Sequence, residues 1–398
     1  MTKTYRTRTS LVHGGTVRSQ FGETSEAMFL TSGYTYETME AAERRFKNEE
    51  PGFVYSRFSN PTVRMFEERM ALLEGAEDAR ATASGMAAVT AAILCQLKAG
   101  DHILASQALF GSCRFIVEDL APRYGIASTL VDGRDLAAWK AAIRPNTKVV
   151  FLESPSNPTL EVIDIRAVAE IAHSVGAKLI VDNVFATPIL QKPLQLGADI
   201  VVYSATKHID GQGRCLGGVV LSTRQWIDEN LANYLRQTGP SISPFNAWVM
   251  LKSLETLDLR IREHARNGEA VARFLEGHAK IARVLYPGLP SHPQHELAMK
   301  QMEMGGNIVA FEVKGGKEAA FRFANALKVI KISNNLGDAK SLITHPATTT
   351  HQRLTPEQRA ELGIGEGMLR LSVGLEDADD LIADLARGLG RLGPVVGA

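Results

Sequence analysis

The chain has 398 residues, 45% hydrophobic and 22% charged, with 44 Lys+Arg against 44 Asp+Glu. That composition supports a packed globular core at a length for two domains, and the balanced charge excludes the broad field that draws nucleic acid or an anionic membrane surface. Cys95, Cys113 and Cys215 lack metal-ligand spacing, the first residues are polar, and no run reaches the ~18 apolar residues of a membrane span, so a cytosolic protein with reduced thiols is expected.

Residues 1–60 read as an irregular arm, with a short helix only at 37–47. An arm without a core of its own needs another surface, and a second subunit is the natural candidate. Near its end, Tyr55 and Arg57 offer a phenol and a guanidinium to a phosphate. Asn60 then caps a helix opened by Pro61 and ended by Gly75. Ser84 caps another, expected to run to about residue 97, and Gly85 lets an anion approach its first-turn N–H groups.

From there strands are predicted at 102–105, 148–152, 178–181, 200–203 and 217–221. Helices are predicted at 111–124 and from Ile165, capped by Asp164 and stopped by Gly176. Strands separated by helical stretches indicate βαβ crossovers and a mostly parallel sheet. Ligands of such sheets bind beyond the carboxyl ends of the strands. Asn157, Asp182 and Lys207 all fall at or just after such ends.

Beyond residue 255 the pattern changes to a smaller α+β unit, with a long charged helix at 260–276, strands at 306–313 and 368–373, and helices near 317–327 and 377–392. The loop 334–347 is polar and long enough to suggest a function. The predicted organisation is an arm (1–60), a first domain (61–255) and a second domain (256–398).

The stretch 199–213 draws these elements together. A short apolar run ends in Ser204 and Thr206, then Lys207 and a glycine-rich turn. A lysine after a strand is ordinarily a surface charge. At the mouth of a buried strand, desolvation and nearby cations instead lower its pKa and make it a nucleophile.

Several pieces then occur in order: Tyr55-Ser-Arg57, Ser84-Gly-Met86, Glu153-Ser-Pro-Ser-Asn157-Pro, Val-Asp182-Asn, Ser204-Ala-Thr-Lys207, Ser341-Leu and Leu-Arg370-Leu-Ser-Val-Gly. Together they resemble the pyridoxal-phosphate-dependent enzymes of Cys/Met metabolism, over nearly the whole chain. The resemblance implies an aspartate-aminotransferase-like (fold type I) α/β architecture and pyridoxal 5'-phosphate as cofactor.

It also implies roles for single residues. Lys207 would carry the cofactor as a Schiff base and later move protons. Asp182 would keep the pyridine nitrogen protonated. Ser204, Thr206 and the N–H groups of Gly85 and Met86 would hold the phosphate, with Tyr55 and Arg57 reaching it from a partner subunit. Tyr55 is also the remaining phenol for proton transfer. Asn157 would bond the cofactor's phenolate oxygen and the substrate carboxylate, and Arg370, helped by Ser341, would bind that carboxylate.

Two positions depart from the family pattern. Phe110 stands where an aromatic residue, commonly Tyr, stacks over the cofactor, and it has no hydroxyl for proton transfer. His208, after the lysine, reads as a structural histidine. The strings around Lys207 and Ser341 are most similar to those of O-succinylhomoserine sulfhydrylases. The implied reaction is γ-replacement of succinate by sulfide to give homocysteine in methionine biosynthesis. Cystathionine γ-synthase, O-acetylhomoserine sulfhydrylase and methionine γ-lyase activities would use the same site, and a non-catalytic binder is disfavoured by the intact Lys207, Asp182 and Arg370 set. The expected partners are small molecules, a homoserine ester and sulfide, together with further copies of the chain in a homotetramer of active-site-sharing dimers.

Overall fold

The computed structural model describes residues 5–392. Its larger sheet has seven strands: β1 (Asp78–Thr82), β2 (His102–Ser106), β3 (Ala127–Val131), β4 (Thr147–Glu153), β5 (Lys178–Asp182), β6 (Ile200–Ser204) and β7 (Gly218–Ser222). Their spatial order is β1-β7-β6-β5-β4-β2-β3. The run from β3 to β6 is parallel, and β7 is antiparallel to both of its neighbours.

The central strands are almost unbroken Val, Ile and Leu, as burial on both faces requires. Alternation divides their side chains between two cores. Val150, Leu152, Leu179, Val181 and Val201 join one cluster with Phe66, Met70 and Trp139. Val149, Phe151, Ile180, Ile200 and Val202 join the other, with Val89, Ile93 and Ile116.

The predicted caps are present. Asn60 Oδ1 accepts the N–H groups of Thr62 and Val63, and Gly75 ends that helix at φ 85°. Ser84 Oγ accepts the Ala87 N–H at 3.1 Å, and the helix it opens spans Gly85–Leu94. It stops short of residue 97, because the Leu97 N–H turns back to the Leu94 carbonyl.

The sequence pattern missed β1, whose Asp-Ala-Arg-Ala-Thr string has no apolar run. Pairing of Asp78 with Arg64 (2.7 Å) and Arg80 (2.8 Å) is what lets those charges sit at the sheet's edge. Also missed were β3 and the helices Thr7–His13, Leu136–Ala142 and Pro244–Leu254.

A second sheet contains β8 (Ile281–Leu285), β9 (Ile308–Val313), β10 (Lys331–Ile332), β11 (Leu342–Thr344) and β12 (Met368–Ser372), in the order β10-β11-β12-β9-β8. Strand β11 lies inside the predicted loop and is too short to show a period. The 20-residue helix Leu257–Glu276 precedes this sheet, and its buried Arg260 donates to the carbonyls of His208 (2.8 Å) and Ile209 (3.2 Å), tying it to the lysine loop. Among the described residues no helix is long and apolar enough to cross a membrane.

Candidate active site

Strands β4, β5 and β6 end side by side, with Glu153 in register with Asp182. Beyond those ends lies a cavity of about 390 Å³ that contains Lys207. A larger cleft, about 660 Å³, includes Arg57 but no lysine nucleophile, and its Arg64 and Arg80 are paired with Glu67 and Asp78. The chemistry belongs to the smaller one.

Nine of the residues singled out from the sequence line the smaller cavity. Gly85, Met86, Ser204 and Thr206 bring a helix N-terminus and two hydroxyls. Phe110 brings an aromatic face, and Lys207, Asp182, Asn157 and Arg370 bring charge and hydrogen bonding.

The Lys207 Nζ donates to Asn335 Oδ1 at 2.6 Å. Burial, and then the Arg370 charge, lower this amine to about 8. Asp182 is buried, its Oδ1 accepts the Val184 N–H at 3.1 Å, and burial pushes its carboxyl up to about 7. No cation among the described residues pairs with it.

Arg370, on β12 and 2% exposed, donates to Asn157 Oδ1 (3.0 Å) and to the carbonyls of Asn334 (2.8 Å) and Asn335 (3.3 Å). Its Nε has no partner. Burial lowers the guanidinium to about 10. A buried guanidinium held by neutral oxygens, with a donor to spare, is set to receive an anion.

These residues suit pyridoxal 5'-phosphate. A buried acid bonded by one N–H accommodates a protonated ring nitrogen, the amine reaches a carbonyl, and the hydroxyls with the helix N-terminus suit a phosphate.

Three expectations change or stay apart from the cavity. The Ser341 hydroxyl does not face Arg370. It donates to Glu376 Oε2 at 2.9 Å and accepts the Gly374 N–H at 2.8 Å, so both its capacities are used in holding a turn. Gly85 lines the cavity and is also required by packing, since a Cβ there would lie 2.5 Å from the Ser204 Cβ. Tyr55 and Arg57 lie outside the cavity within this chain. Tyr55 is 41% exposed, and Arg57 stacks on Tyr55 and Phe58 and donates to the Arg236 carbonyl.

His208 is buried, with Nε2 2.8 Å from Asn307 Oδ1, and burial lowers it to about 3, which suits a structural role. Sequence reasoning missed Glu153 and Thr350, and it flagged the loop that holds Asn335 without singling out that residue. For Glu153 a signal existed, because it is the last residue of a strand whose neighbour ends in Asp182.

Comparison with known proteins agrees with this geometry. The family model for Cys/Met metabolism PLP-dependent enzymes matches residues 8–390. An O-succinylhomoserine sulfhydrylase of Pseudomonas aeruginosa is 54% identical over 384 residues, covering 96% of this chain and 95% of that protein. One from Mycobacterium tuberculosis is 53% identical over 382 residues, covering 95% and 94%. A solved structure from Campylobacter jejuni with N'-pyridoxyl-lysine-5'-monophosphate superimposes with a TM-score of 0.93 at 34% identity, over 97% of this chain and 100% of that one. The chain belongs to the Cys/Met metabolism enzymes that depend on pyridoxal 5'-phosphate, and it has their fold type I architecture.

Proposed function

We propose that the protein is an O-succinylhomoserine sulfhydrylase, replacing succinate at Cγ with sulfide to form L-homocysteine. The observation that carries this is the meeting of Lys207, Asp182 and Arg370 in one cavity: an amine, an acid for a ring nitrogen and a carboxylate fork. The choice of ester and of sulfide is supported by the similarity to the two sulfhydrylases.

Arg370, with Asn157 holding its Nη1, takes the substrate α-carboxylate. Lys207 would hold the cofactor through its Nζ and would be free to act as a base once substrate is bound. Its free amine, which burial makes easier to deprotonate, then removes protons from Cα and Cβ. When bound, pyridoxal phosphate supplies the electron sink that stabilises the negative charge left at carbon. Asp182 would keep the proton on the ring nitrogen, and Phe110 would offer the ring an aromatic face with no hydroxyl to move a proton. Succinate leaves Cγ, HS⁻ adds there, and Lys207 returns the protons to Cβ and Cα to give homocysteine. Tyr55 and Arg57 reach the phosphate of a neighbouring subunit. What supports this is their exposure together with that of Phe21, Leu30, Met39 and Phe46 on the same arm, an apolar surface suited to a second copy.

In this reading residues 1–60 form the arm, 61–255 hold the cofactor, and 256–398 bind the carboxylate. The protein works in the cytoplasm as a homotetramer. The test incubates pure enzyme with O-succinyl-L-homoserine plus sulfide, plus cysteine, or alone, with O-acetyl-L-homoserine in parallel. Homocysteine and succinate are expected, and Lys207→Ala abolishes them. Cystathionine as the main product, 2-oxobutanoate without thiol, or preference for the acetyl ester would replace this function with a rival.

A further inference from the structure

Glu153 is the one acid in the cavity to which the mechanism gives no work. It is buried, sits beside Asp182 at the end of β4, and has no ion-pair partner among the described residues. Burial first, and then the Asp182 carboxyl, push its own carboxyl well above the usual range. An acid so disfavoured needs compensation, and the structure provides it in a specific form. Oε2 accepts the N–H of Phe110 at 2.9 Å, and Oε1 accepts the N–H of Asn157 at 2.9 Å. These two residues are 47 positions apart in sequence, and each begins or lies in a loop that faces the cavity. Asn157 in turn carries the oxygen that holds Arg370 (3.0 Å).

We propose that Glu153 is a positioning residue: its two carboxyl oxygens, one on each backbone N–H, lock the Phe110 and Asn157 loops in register, and through Asn157 they aim Arg370 at the substrate carboxylate. A carboxyl group suits this task because each of its two oxygens keeps a lone pair for a backbone N–H, whereas the nitrogen of an amide cannot accept. The proposal rests on the assignment of Arg370 and Asn157 to carboxylate binding.

The test uses Glu153→Gln, Asn157→Ala and the double variant. In Glu153→Gln the amide keeps one acceptor and sets an N–H donor against one of the two backbone N–H groups. The KM for O-succinyl-L-homoserine rises about ten-fold while kcat per bound cofactor changes much less. The absorption band of the bound cofactor shifts, and apoprotein titrated with pyridoxal 5'-phosphate binds it more weakly. In the Asn157→Ala background the same substitution changes KM by less than about two-fold, because residues acting through one another are not additive.

An unchanged KM, cofactor spectrum and cofactor affinity in Glu153→Gln overturn the proposal, as does a full independent effect on top of Asn157→Ala. If Glu153→Gln fails to fold, Glu153→Asp, one methylene too short for both bonds, is read in the same way, and a wild-type KM there overturns it. If the ester is not the substrate, the cofactor spectrum and affinity still report on Glu153, so the two failures are distinguishable.

Discussion

Burial acts in opposite directions on Lys207 and Asp182, the two titratable groups proposed for the chemistry. It lowers the Lys207 amine to about 8 and raises the Asp182 carboxyl to about 7, in each case favouring the neutral form. For the lysine this is useful, since only a neutral amine attacks a carbonyl. In the apoprotein the rate of loading with pyridoxal 5'-phosphate, followed by absorbance, rises with pH, with an inflection near 8. Arg370→Met removes the second cause of the shift and moves that inflection upward. A flat profile between pH 7 and 9 would contradict the placement of Lys207. Linkage has a matching sign. The folded value lies below the unfolded one, so apoprotein stability rises as pH increases from about 8 towards 10.5 and is lost on the way down. Lys207 and Asp182 were legible in the sequence because each falls at or just after the end of an apolar strand, and Arg370 through the ordered motifs that carry the family resemblance. Asn335 was legible only as part of the polar loop 334–347, and Thr350 not at all, because the folding of a distant loop is what brings each of them to the site.

At the scale of elements, the helix Gly85–Leu94 is wedged against β6 and β7. A Cβ on Gly85 would meet the Ser204 Cβ at 2.5 Å, and one on Gly218 would meet the Ser84 carbonyl oxygen at 2.3 Å. Both positions need the absence of a side chain for the helix to sit at this depth. Gly85→Ala therefore overpacks the contact and destabilises the protein by about 1–3 kcal/mol, read in thermal or urea unfolding, and weakens cofactor binding as the helix N-terminus withdraws. Wild-type stability with wild-type cofactor affinity would show that the contact is soft. The central strands and the helices capped by Asn60, Ser84 and Asp164 could be read from the sequence, since burial on both faces and cap residues leave strong marks, although the helices capped by Asp135 and Ser243 were missed. The edge strands β1 and β3 and the three-residue β11 could not. Their pairing is fixed by neighbours, and their own residues are too polar or too few to show a period.

At the scale of the molecule, the site draws on both sheets, with Lys207 following β6 and Arg370 on β12. The sequence implied that convergence through its ordered motifs, but not the hydrogen bonds between Asn157, Asn335 and the two cations. The arm raises a question that only an assembly answers. If Tyr55 and Arg57 complete the cavity of a second copy, the Arg57→Ala and Lys207→Ala lesions of a mixed dimer fall in the same site and leave the other site intact. Each variant alone is then strongly impaired. Equal mixing by co-expression restores about one quarter of the wild-type sites, since half the dimers are mixed and each has one intact site. Recovery no greater than the sum of the separate variants would mean that the arm serves its own chain.

Arg260 carries a consequence for modularity. The side chain belongs to the helix that leads into the second sheet, yet it grips the carbonyls of His208 and Ile209, immediately after the lysine. The adjoining His208 is held by Asn307, at the entrance to β9. A chimera joined near residue 255 would thus take its lysine loop from one parent and the clamp on that loop from the other. Exchange of halves between relatives is constrained at a seam that no ligand touches, and the two halves must be inherited as a matched pair.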